Sequence, residues 1–304
     1  MKSLEAPELL QMLACPDCSG NLSVKFDYLS CDDCKRAYEI KNGIPVLYSS
    51  KTDSSHFQEE IKLANMMRRP RTSRKDQIMS EQWTLSKAEF WNVVNEKMRK
   101  LPQTMINIGC GYDLHFRDFQ EDGMIFVNFD IVQSILQELK DQNGARFCVA
   151  GDVAYLPFKK HVFDSVVCAD ILHHLEGNLS NYITSLKGLL RPHGMLFIED
   201  PNAFGLYQIP KSVLLPKSVH RYLRSLYHKS IRSTHKPADY EFPISVWAIK
   251  NALIENGFTN VTIHNNRACP NAGSIPIRIY QLLIQYSEQV SKYHNFHYLI
   301  SAEN

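Results

Sequence analysis

From residue 104 onward, short apolar segments alternate with segments of helical periodicity. The apolar segments cover residues 105–108, 124–129, 145–150, 163–169 and 194–199. Helical patterns occupy residues 134–142 and 182–190, and a further helix is expected at 245–256. Strands that alternate with helices predict a parallel sheet that is covered on both faces. Ligands of such sheets bind at the carboxyl ends of the strands, so the functional residues are expected there.

The first predicted strand runs into a glycine-rich turn, Gly109-Cys110-Gly111. A glycine lets the backbone turn sharply and lets a ligand approach the strand end closely. The dinucleotide-binding pattern would place a third glycine where this chain has Leu114, which disfavours a nicotinamide cofactor. Asp130 ends the second strand nineteen residues after Gly111. Its carboxylate can accept hydrogen bonds from both hydroxyls of a ribose.

Residues 151–175 and 189–200 carry the most specific signal in this part of the chain. Asp152 follows the third strand, an apolar turn spans residues 156–158, and Phe163 opens the fourth strand. Together with the glycine turn, these stretches closely resemble class I S-adenosylmethionine-dependent methyltransferases, particularly those similar to quinone-biosynthesis methyltransferases. The resemblance covers about residues 101–202 and, more weakly, 247–263. It implies a Rossmann-like α/β fold with S-adenosylmethionine as the cofactor.

The same resemblance implies a role for each residue of the cofactor site. Gly109 and Gly111 would face the methionine and ribose portions, and Asp130 would hold the ribose hydroxyls. Asp152 would meet the adenine amine beside the backbone of Val153. Asp170 would either line the methionine pocket or simply cap a turn. The complete predicted set is Asn107, Gly109, Gly111, Asp130, Asp152, Val153 and Asp170.

Two positions depart from the family pattern. Asn107 stands where the family usually has an acidic residue, and Asp113 stands where it often has a third glycine. Asn107 can still form hydrogen bonds, and Asp113 carries a charge that suits a cationic cofactor. These departures keep a second class of function open, namely a cofactor-binding scaffold without catalytic activity.

Methyl transfer from a sulfonium is a displacement that needs chiefly positioning, and a base is needed only when the acceptor must lose a proton. His173 and His174 follow the fourth predicted strand, and either is a candidate base. The alternative is a helix start whose imidazoles pack or bond to the backbone. Residues 199–202 end the fifth strand, where they either contact substrate or cap a loop.

The acceptor class follows from what is missing after the fourth strand. The chain has no Asn/Asp-Pro-Pro-Tyr/Phe stretch there, which disfavours methylation of an exocyclic base amine. We therefore predict methylation of oxygen or carbon on a small metabolite, with anionic and lipidic acceptors included. The alternative within enzymes is RNA methylation.

Four cysteines are packed into twenty residues near the amino terminus as two Cys-x-x-Cys pairs, namely Cys15, Cys18, Cys31 and Cys34. Two such pairs can supply a closed tetrahedral zinc site, which makes Zn²⁺ structural. The apolar alternation between the pairs predicts a hairpin. Residues 8–49 resemble the small zinc-ribbon activator proteins that partner tRNA, rRNA and protein methyltransferases. The resemblance implies a stabilising or docking role for a ribbon over residues 1–50.

The remaining segments complete the predicted domain organisation. Residues 51–100 form a polar linker and a lead-in helix, and residues 101–270 form the methyltransferase domain. The linker carries five basic residues between 68 and 75, which form either a solvated segment or a phosphate-contacting patch. An insertion at 203–243 carries seven basic residues and predicts a lid that attracts an anionic substrate, RNA or a lipid surface. The alternative is a core-facing helix with solvated charges. Residues 271–304 form a C-terminal segment.

Charge and hydropathy restrict the partners further. A formal net charge of +2 over 304 residues does not by itself indicate nucleic acid. The chain has no run of 18 uncharged apolar residues, so no membrane span is expected, and the start of the sequence does not resemble a signal peptide. A cytoplasmic protein is predicted, and the sequence does not indicate an oligomeric state.

Overall fold

The computed structural model describes residues 7–52, 58, 61, 87–98, 104–121, 123–175, 177–203, 243–266, 278, 292–293 and 297–304. The strands are β1 (Leu22–Lys25), β2 (Tyr28–Cys31), β3 (Ala37–Lys41), β4 (Ile44–Leu47), β5 (Thr104–Ile108), β6 (Ile125–Asp130), β7 (Phe147–Gly151), β8 (Phe163–Ala169), β9 (Leu190–Pro201), β10 (Thr259–His264) and β11 (His297–Glu303). The helices are α1 (Pro7–Met12), α2 (87–98), α3 (Phe116–Glu121), α4 (Gln133–Asn143), α5 (Leu179–Leu189) and α6 (Val246–Glu255).

These strands form one sheet in the order β1-β2-β3-β4-β7-β6-β5-β8-β9-β11-β10. The strands from β7 to β9 are parallel, and β11 is antiparallel to both β9 and β10. The strand order reverses between β5 and β8, which makes their carboxyl ends the expected binding crevice. The predicted α/β class with a central parallel sheet is confirmed.

The burial of the central strands explains why their sequences are continuously apolar. Every residue of β5 and of β7 is buried, as expected for strands that are covered on both faces. The side chains divide into two apolar clusters, one on each face of the sheet. Trp91, Val94 and Met98 of α2 pack in one of these clusters, which confirms the helical spacing seen in the sequence.

The ribbon segment is continuous with the large sheet. Its hairpin β1–β2 forms as predicted, and β4 pairs in parallel with β7 through Val46–Ala150 and Leu47–Gly151. A Cβ atom on Gly151 would lie 2.8 Å from the Phe129 ring and 3.2 Å from the Leu47 carbonyl oxygen. Glycine therefore permits this close strand packing, and the ribbon lies at the edge of the sheet beside the third predicted strand.

Several predictions concern residues outside the described ranges. They include the basic run of the linker and residues 204–242 of the insertion. The predicted domain boundary at residue 270 also leaves out β11, although β11 pairs with β9 along seven residues. Within the described ranges, no helix is long and apolar enough to cross a membrane.

Candidate functional site

The glycine turn lies at the carboxyl end of β5. Gly109 has a φ of +65° and Gly111 a φ of +52°, conformations that other residues adopt only at an energetic cost. A Cβ atom on Gly109 would meet the Ile171 side chain at 2.2 Å, so this position has no room for one. A Cβ atom on Gly111 would meet none of the described residues within 4 Å. The turn thus packs against Ile171 on one side and leaves space for a ligand on the other.

Asp130 joins the glycine turn to the end of β6. Its Oδ2 accepts a hydrogen bond from the Gly111 N–H (2.9 Å), and its Oδ1 accepts one from the Val132 N–H (2.8 Å). Burial raises the pKa of this carboxyl group above its usual value, and the backbone donors oppose that shift. An ionised carboxylate offers about four acceptor sites, so these backbone bonds do not use its whole capacity.

The end of the next strand supplies Asp152. Its Oδ1 accepts a hydrogen bond from the Ala154 N–H (2.9 Å) and so caps a short 3₁₀ turn, Val153–Tyr155. On the neighbouring loop, Tyr48 at the end of the ribbon donates a hydrogen bond to the Ile131 carbonyl oxygen (2.7 Å). The ribbon thereby contacts the residue that follows Asp130.

Asn107 lies inside the sheet, next to Asn128 on the adjacent strand. It is 2 % exposed, and its Oδ1 has no hydrogen-bond partner among the described residues. A buried acceptor without a partner costs free energy, so this atom suits a donor that is supplied from outside the described residues.

A closed ring of ionisable groups lies at the carboxyl ends of β8 and β9. The Lys87 ammonium of α2 contacts Asp170 Oδ2 (2.6 Å) and Glu199 Oε2. His297 Nδ1 contacts Glu199 Oε1 (2.5 Å) and lies 3.4 Å from Asp170 Oδ1. We call these four residues the ionic ring. It joins α2, β8, β9 and β11 on one face of the sheet.

The charges of the ring stabilise one another. Burial opposes charge on every member, but Lys87 and His297 nevertheless lower the pKa of Asp170 to about 2. Asp170 and Glu199 raise the pKa of Lys87, and Glu199 with Asp170 raises that of His297, against the effect of burial. The donor atoms of Asp170, Glu199 and His297 lie within 4.8 Å of one another, as metal ligands would. Because Lys87 already bridges the two carboxylates, the ring does not need a metal ion for charge balance.

The two candidate bases follow β8 in a single 3₁₀ turn, Leu172–His174. His173 Nδ1 lies 2.8 Å from Oδ1 of Asp200, whose side chain is fully buried in β9. The rings of His173 and His174 have centroids 4.0 Å apart. His173 is therefore oriented by a carboxylate from the next strand.

The four ribbon cysteines come together as their spacing predicts. All four Sγ atoms lie within 4.8 Å of one another, with separations of 3.7 Å for Cys15–Cys34 and 3.4 Å for Cys18–Cys31. Four sulfurs at about 2.3 Å from a tetrahedral Zn²⁺ would be about 3.8 Å apart. Burial opposes ionisation of Cys31, but the Cys34 and Asp33 N–H groups lower its pKa to about 7. The donor set thus fits a structural zinc ion.

Comparison with known families agrees with this arrangement. Residues 106–198 match the family described as "Methyltransferase domain". The chain carries a methyltransferase domain. Residues 6–43 match a second family, described as "Trm112p-like protein". The ribbon is 38% identical over 56 residues to a UPF0434 protein of Methylobacillus flagellatus, covering 18% of this chain and 93% of that protein. It is 43% identical over 54 residues to one of Alteromonas mediterranea, covering 17% and 84%.

Solved structures with a similar fold include S-adenosylmethionine-dependent methyltransferases. One from Archaeoglobus fulgidus is 18% identical, covers 73% of this chain and 99% of its own, and has a TM-score of 0.45. The CurJ carbon methyltransferase is 15% identical, covers 79% and 60%, and has a TM-score of 0.49. The two family matches confirm the predicted resemblances to methyltransferases and to a small zinc ribbon.

The described structure of the methyltransferase domain brings the predicted residues to one edge of the sheet. Asn107, Gly109, Gly111 and Asp130 lie on or directly after β5 and β6, and Asp152 with Val153 follows β7. Asp170, His173 and His174 follow β8, on the other side of the switch point.

Sequence reasoning missed Lys87 and His297. Lys87 precedes Trp91, Val94 and Met98 by four, seven and eleven positions, so it lies on the apolar stripe of α2. A lysine on an apolar helix face could have predicted that its ammonium group pairs with a buried carboxylate. His297 begins a strand that the sequence did not predict, and it carried no comparable signal.

Proposed function

We propose that this methyltransferase domain transfers the methyl group of S-adenosylmethionine to an oxygen or carbon atom of a small metabolite. The proposal rests on the hydrogen bond that connects the carboxyl ends of β5 and β6. There the Gly111 N–H donates a hydrogen bond to the buried Asp130 carboxylate, and the Gly111 Cα faces a space that no described residue fills. A ribose at this point would reach a charged acceptor and a backbone with no side chain in the way.

The cofactor would span the carboxyl ends of four strands. Asp130 would hold the ribose hydroxyls through its remaining acceptor capacity, and Asp152 would meet the adenine amine beside Val153. Gly109, Gly111 and the unpartnered Oδ1 of Asn107 would surround the methionine portion. Asp170 would form the wall between the methionine portion and the acceptor. The sulfonium itself supplies the activated methyl group, so this chain mainly has to position the two reactants.

Two alternatives remain distinguishable from this proposal. RNA methylation is favoured by the basic segments of the linker and the insertion. A scaffold that binds the cofactor without transfer is favoured by Asn107 and Asp113. The ribbon would serve either an enzyme or a scaffold by holding one zinc ion and stabilising the edge at β7. The site needs four thiolates, which agrees with the proposed cytoplasmic location.

Methyl-labelled S-adenosylmethionine separates these functions. The protein is incubated with a small-molecule extract free of protein and nucleic acid, and in parallel with purified RNA. We expect label in at least one small molecule and none in RNA. Label only in RNA would support the RNA alternative, and tight cofactor binding without any labelled product would support the scaffold.

Variants of basic residues in the insertion test whether the methyl acceptor is anionic. We expect the double variant Arg221→Glu/Arg224→Glu to raise the apparent KM for the labelled acceptor several-fold, more strongly at low salt, because salt screens charge attraction. Cofactor affinity should not change. Lys25→Glu in the ribbon hairpin is the matched control for a reversed surface charge. An unchanged KM in the Arg221/Arg224 variant would mean that the basic face is simply solvated.

A further inference from the structure

We propose that His173 is the general base of the reaction, held in place by Asp200, and that the acceptor is therefore a group that loses a proton when it is methylated. This inference rests on the proposed function. It restricts the acceptor to a hydroxyl group or an acidic carbon, and it separates His173 from the neighbouring His174.

The first support is where the two side chains come from. β8 and β9 are adjacent and parallel, so both carboxyl ends face the same crevice. His173 follows β8 by four positions, and Asp200 lies one residue before the end of β9. In an open α/β sheet this edge, next to the switch point, is where ligands bind. The pair therefore lies on the acceptor side of the proposed cofactor site.

The second support is the geometry of the pair. The contact from His173 Nδ1 to Asp200 Oδ1 is 2.8 Å, a normal hydrogen-bond length. The Asp200 side chain is fully buried, whereas the His173 side chain is 14% exposed. Oδ2 of Asp200 has no hydrogen-bond partner among the described residues. A carboxylate that holds Nδ1–H leaves Nε2 as the nitrogen that exchanges a proton, and it stabilises the imidazolium that forms.

The other nearby histidines differ in their surroundings. His297 faces two carboxylates and Lys87 within the ionic ring, and the carboxylates raise its pKa and so favour the charged imidazolium. His193 forms a similar pair with Glu303 Oε1 at 3.1 Å, but its side chain is 85% exposed and it lies near the start of β9. His193 is therefore a matched control for a histidine–carboxylate pair outside the crevice.

The proposed step is a direct transfer of the methyl group to the acceptor, with His173 taking up the proton. The acceptor atom attacks the methyl carbon while its proton passes to His173 Nε2. The bond from the sulfonium sulfur to the methyl carbon breaks, and its electron pair stays on sulfur as a neutral thioether. The imidazolium later releases the proton to water. The products are the methylated acceptor, S-adenosylhomocysteine and one proton, and no oxidant or further co-reactant is required.

Several ionisable groups surround the pair of His173 and Asp200. Asp170 after β8 and Asp200 on β9 interact electrostatically with His173, and the His174 ring lies beside it in the same turn. Asp200 in turn interacts with Glu199 on β9, Tyr298 on β11 and Cys168 on β8. Burial raises the pKa of Asp200, and the neighbouring His173 opposes that rise. The position of the proton between Asp200 and His173 must therefore be measured directly, because only an Nδ1–H imidazole has Nε2 available as a base.

The test combines a tautomer measurement with kinetics. Nitrogen-15 NMR of the imidazoles, assigned with His173→Gln, should show His173 in the neutral Nδ1–H form above its pKa. With methyl-labelled S-adenosylmethionine and the small-molecule extract, His173→Gln should lower kcat about 10²- to 10⁴-fold. It should also remove the fall in rate at acid pH, and cofactor affinity should stay within about twofold.

Three further variants keep the test decisive. Asp200→Asn should lower kcat at least about tenfold and shift the His173 tautomer, because the amide no longer selects Nδ1–H. His173→Ala should recover part of its rate when free imidazole is added, which a purely structural role would not allow. His193→Gln should match the wild-type protein in rate and pH profile.

The outcomes also separate this inference from the proposed function. If the wild-type protein labels a small molecule and His173→Gln keeps at least a third of its rate, the base assignment is wrong and the proposed function stands. If the wild-type protein labels nothing, the proposed function fails. NMR then still tests the pairing of His173 with Asp200. A neutral His173 in the Nε2–H form would show that Asp200 does not hold Nδ1–H, and it would overturn the assignment of His173 as the base.

Discussion

The two sides of the crevice are built in different ways. On the proposed cofactor side, at the ends of β6 and β7, the carboxylates accept hydrogen bonds from backbone N–H groups that are near in sequence. Asp130 accepts from residues 19 and 2 positions away, and Asp152 accepts from a residue 2 positions away. On the proposed acceptor side, at the ends of β8 and β9, the partners are far apart in sequence. Lys87 contacts Glu199 at a separation of 112 positions, and His297 contacts it at a separation of 98. The cofactor side is thus a set of local turns, whereas the acceptor side depends on the completed fold. The two sides should respond differently to mutation.

The largest effect is expected from disruption of the proposed zinc site in the ribbon. Replacing Cys31 by Ser leaves three thiolates, so the protein should fall from about one zinc per chain to none, and the ribbon should unfold. Because Tyr48 holds the Ile131 carbonyl, cofactor affinity should fall as well, while the ionic ring stays protected. Metal analysis, calorimetry and hydrogen exchange measure the three quantities.

Tyr48→Phe isolates the contact between ribbon and cofactor side without removing zinc. It should weaken S-adenosylmethionine binding several-fold, because the lost hydrogen bond is worth about 1 kcal/mol. Tyr28→Phe, on the exposed hairpin, is the control and should have no effect. Equal affinities in Tyr48→Phe and the wild-type protein would show that the ribbon does not support the cofactor side.

The next effect concerns the ionic ring. Lys87→Met removes the cation between two buried carboxylates, which should lower the free energy of unfolding by about 3–5 kcal/mol. Urea denaturation measures the loss, and Asn92→Ala on the exposed face of α2 is the control. The double variant Lys87→Met/Glu199→Gln should recover part of it. No recovery would mean that the loss comes from packing rather than from unpaired charge.

On the cofactor side, Asp130→Ala should weaken S-adenosylmethionine binding about tenfold or more, or about 1.4 kcal/mol. It also leaves the Gly111 and Val132 N–H groups without their acceptor, so a modest loss of stability should accompany the effect. Calorimetry checks the affinity, and Asp141→Ala on the exposed face of α4 is the control. Equal affinity in Asp130→Ala and wild type would mean that the cofactor lies elsewhere.

The smallest effect is the pH dependence of the ring. The pKa of His297 is raised in the fold, so its stabilising contribution is complete below about 6.5 and is lost as the pH rises through the raised value. Asp170 has a lowered pKa, so its contribution is complete above 3.8 and is lost as the pH falls toward about 2. The stability difference between wild type and His297→Gln should therefore shrink from pH 6 to 9, with cofactor affinity unaffected. A constant difference would contradict the ionic role of His297.

The sequence by itself determined the class of fold, the ribbon and most residues of the proposed cofactor side. The alternation of short apolar strands with helices is a local pattern, and so are two Cys-x-x-Cys pairs and a glycine turn followed by Asp130. Each of these depends on residues that are close along the chain, where periodicity and turn chemistry are informative. Even the candidate base His173 was visible as a histidine after a buried strand.

Only the tertiary structure decided how the acceptor side is assembled. It brought Lys87 and His297 to Asp170 and Glu199, paired His173 with Asp200, and joined the ribbon to β7 through β4. A sequence shows that a charged residue lies on an apolar stripe, but it does not show which opposite charge meets it. That choice depends on strand order and on the crossing of α2 over the sheet, because a buried ion is stable only beside its partner.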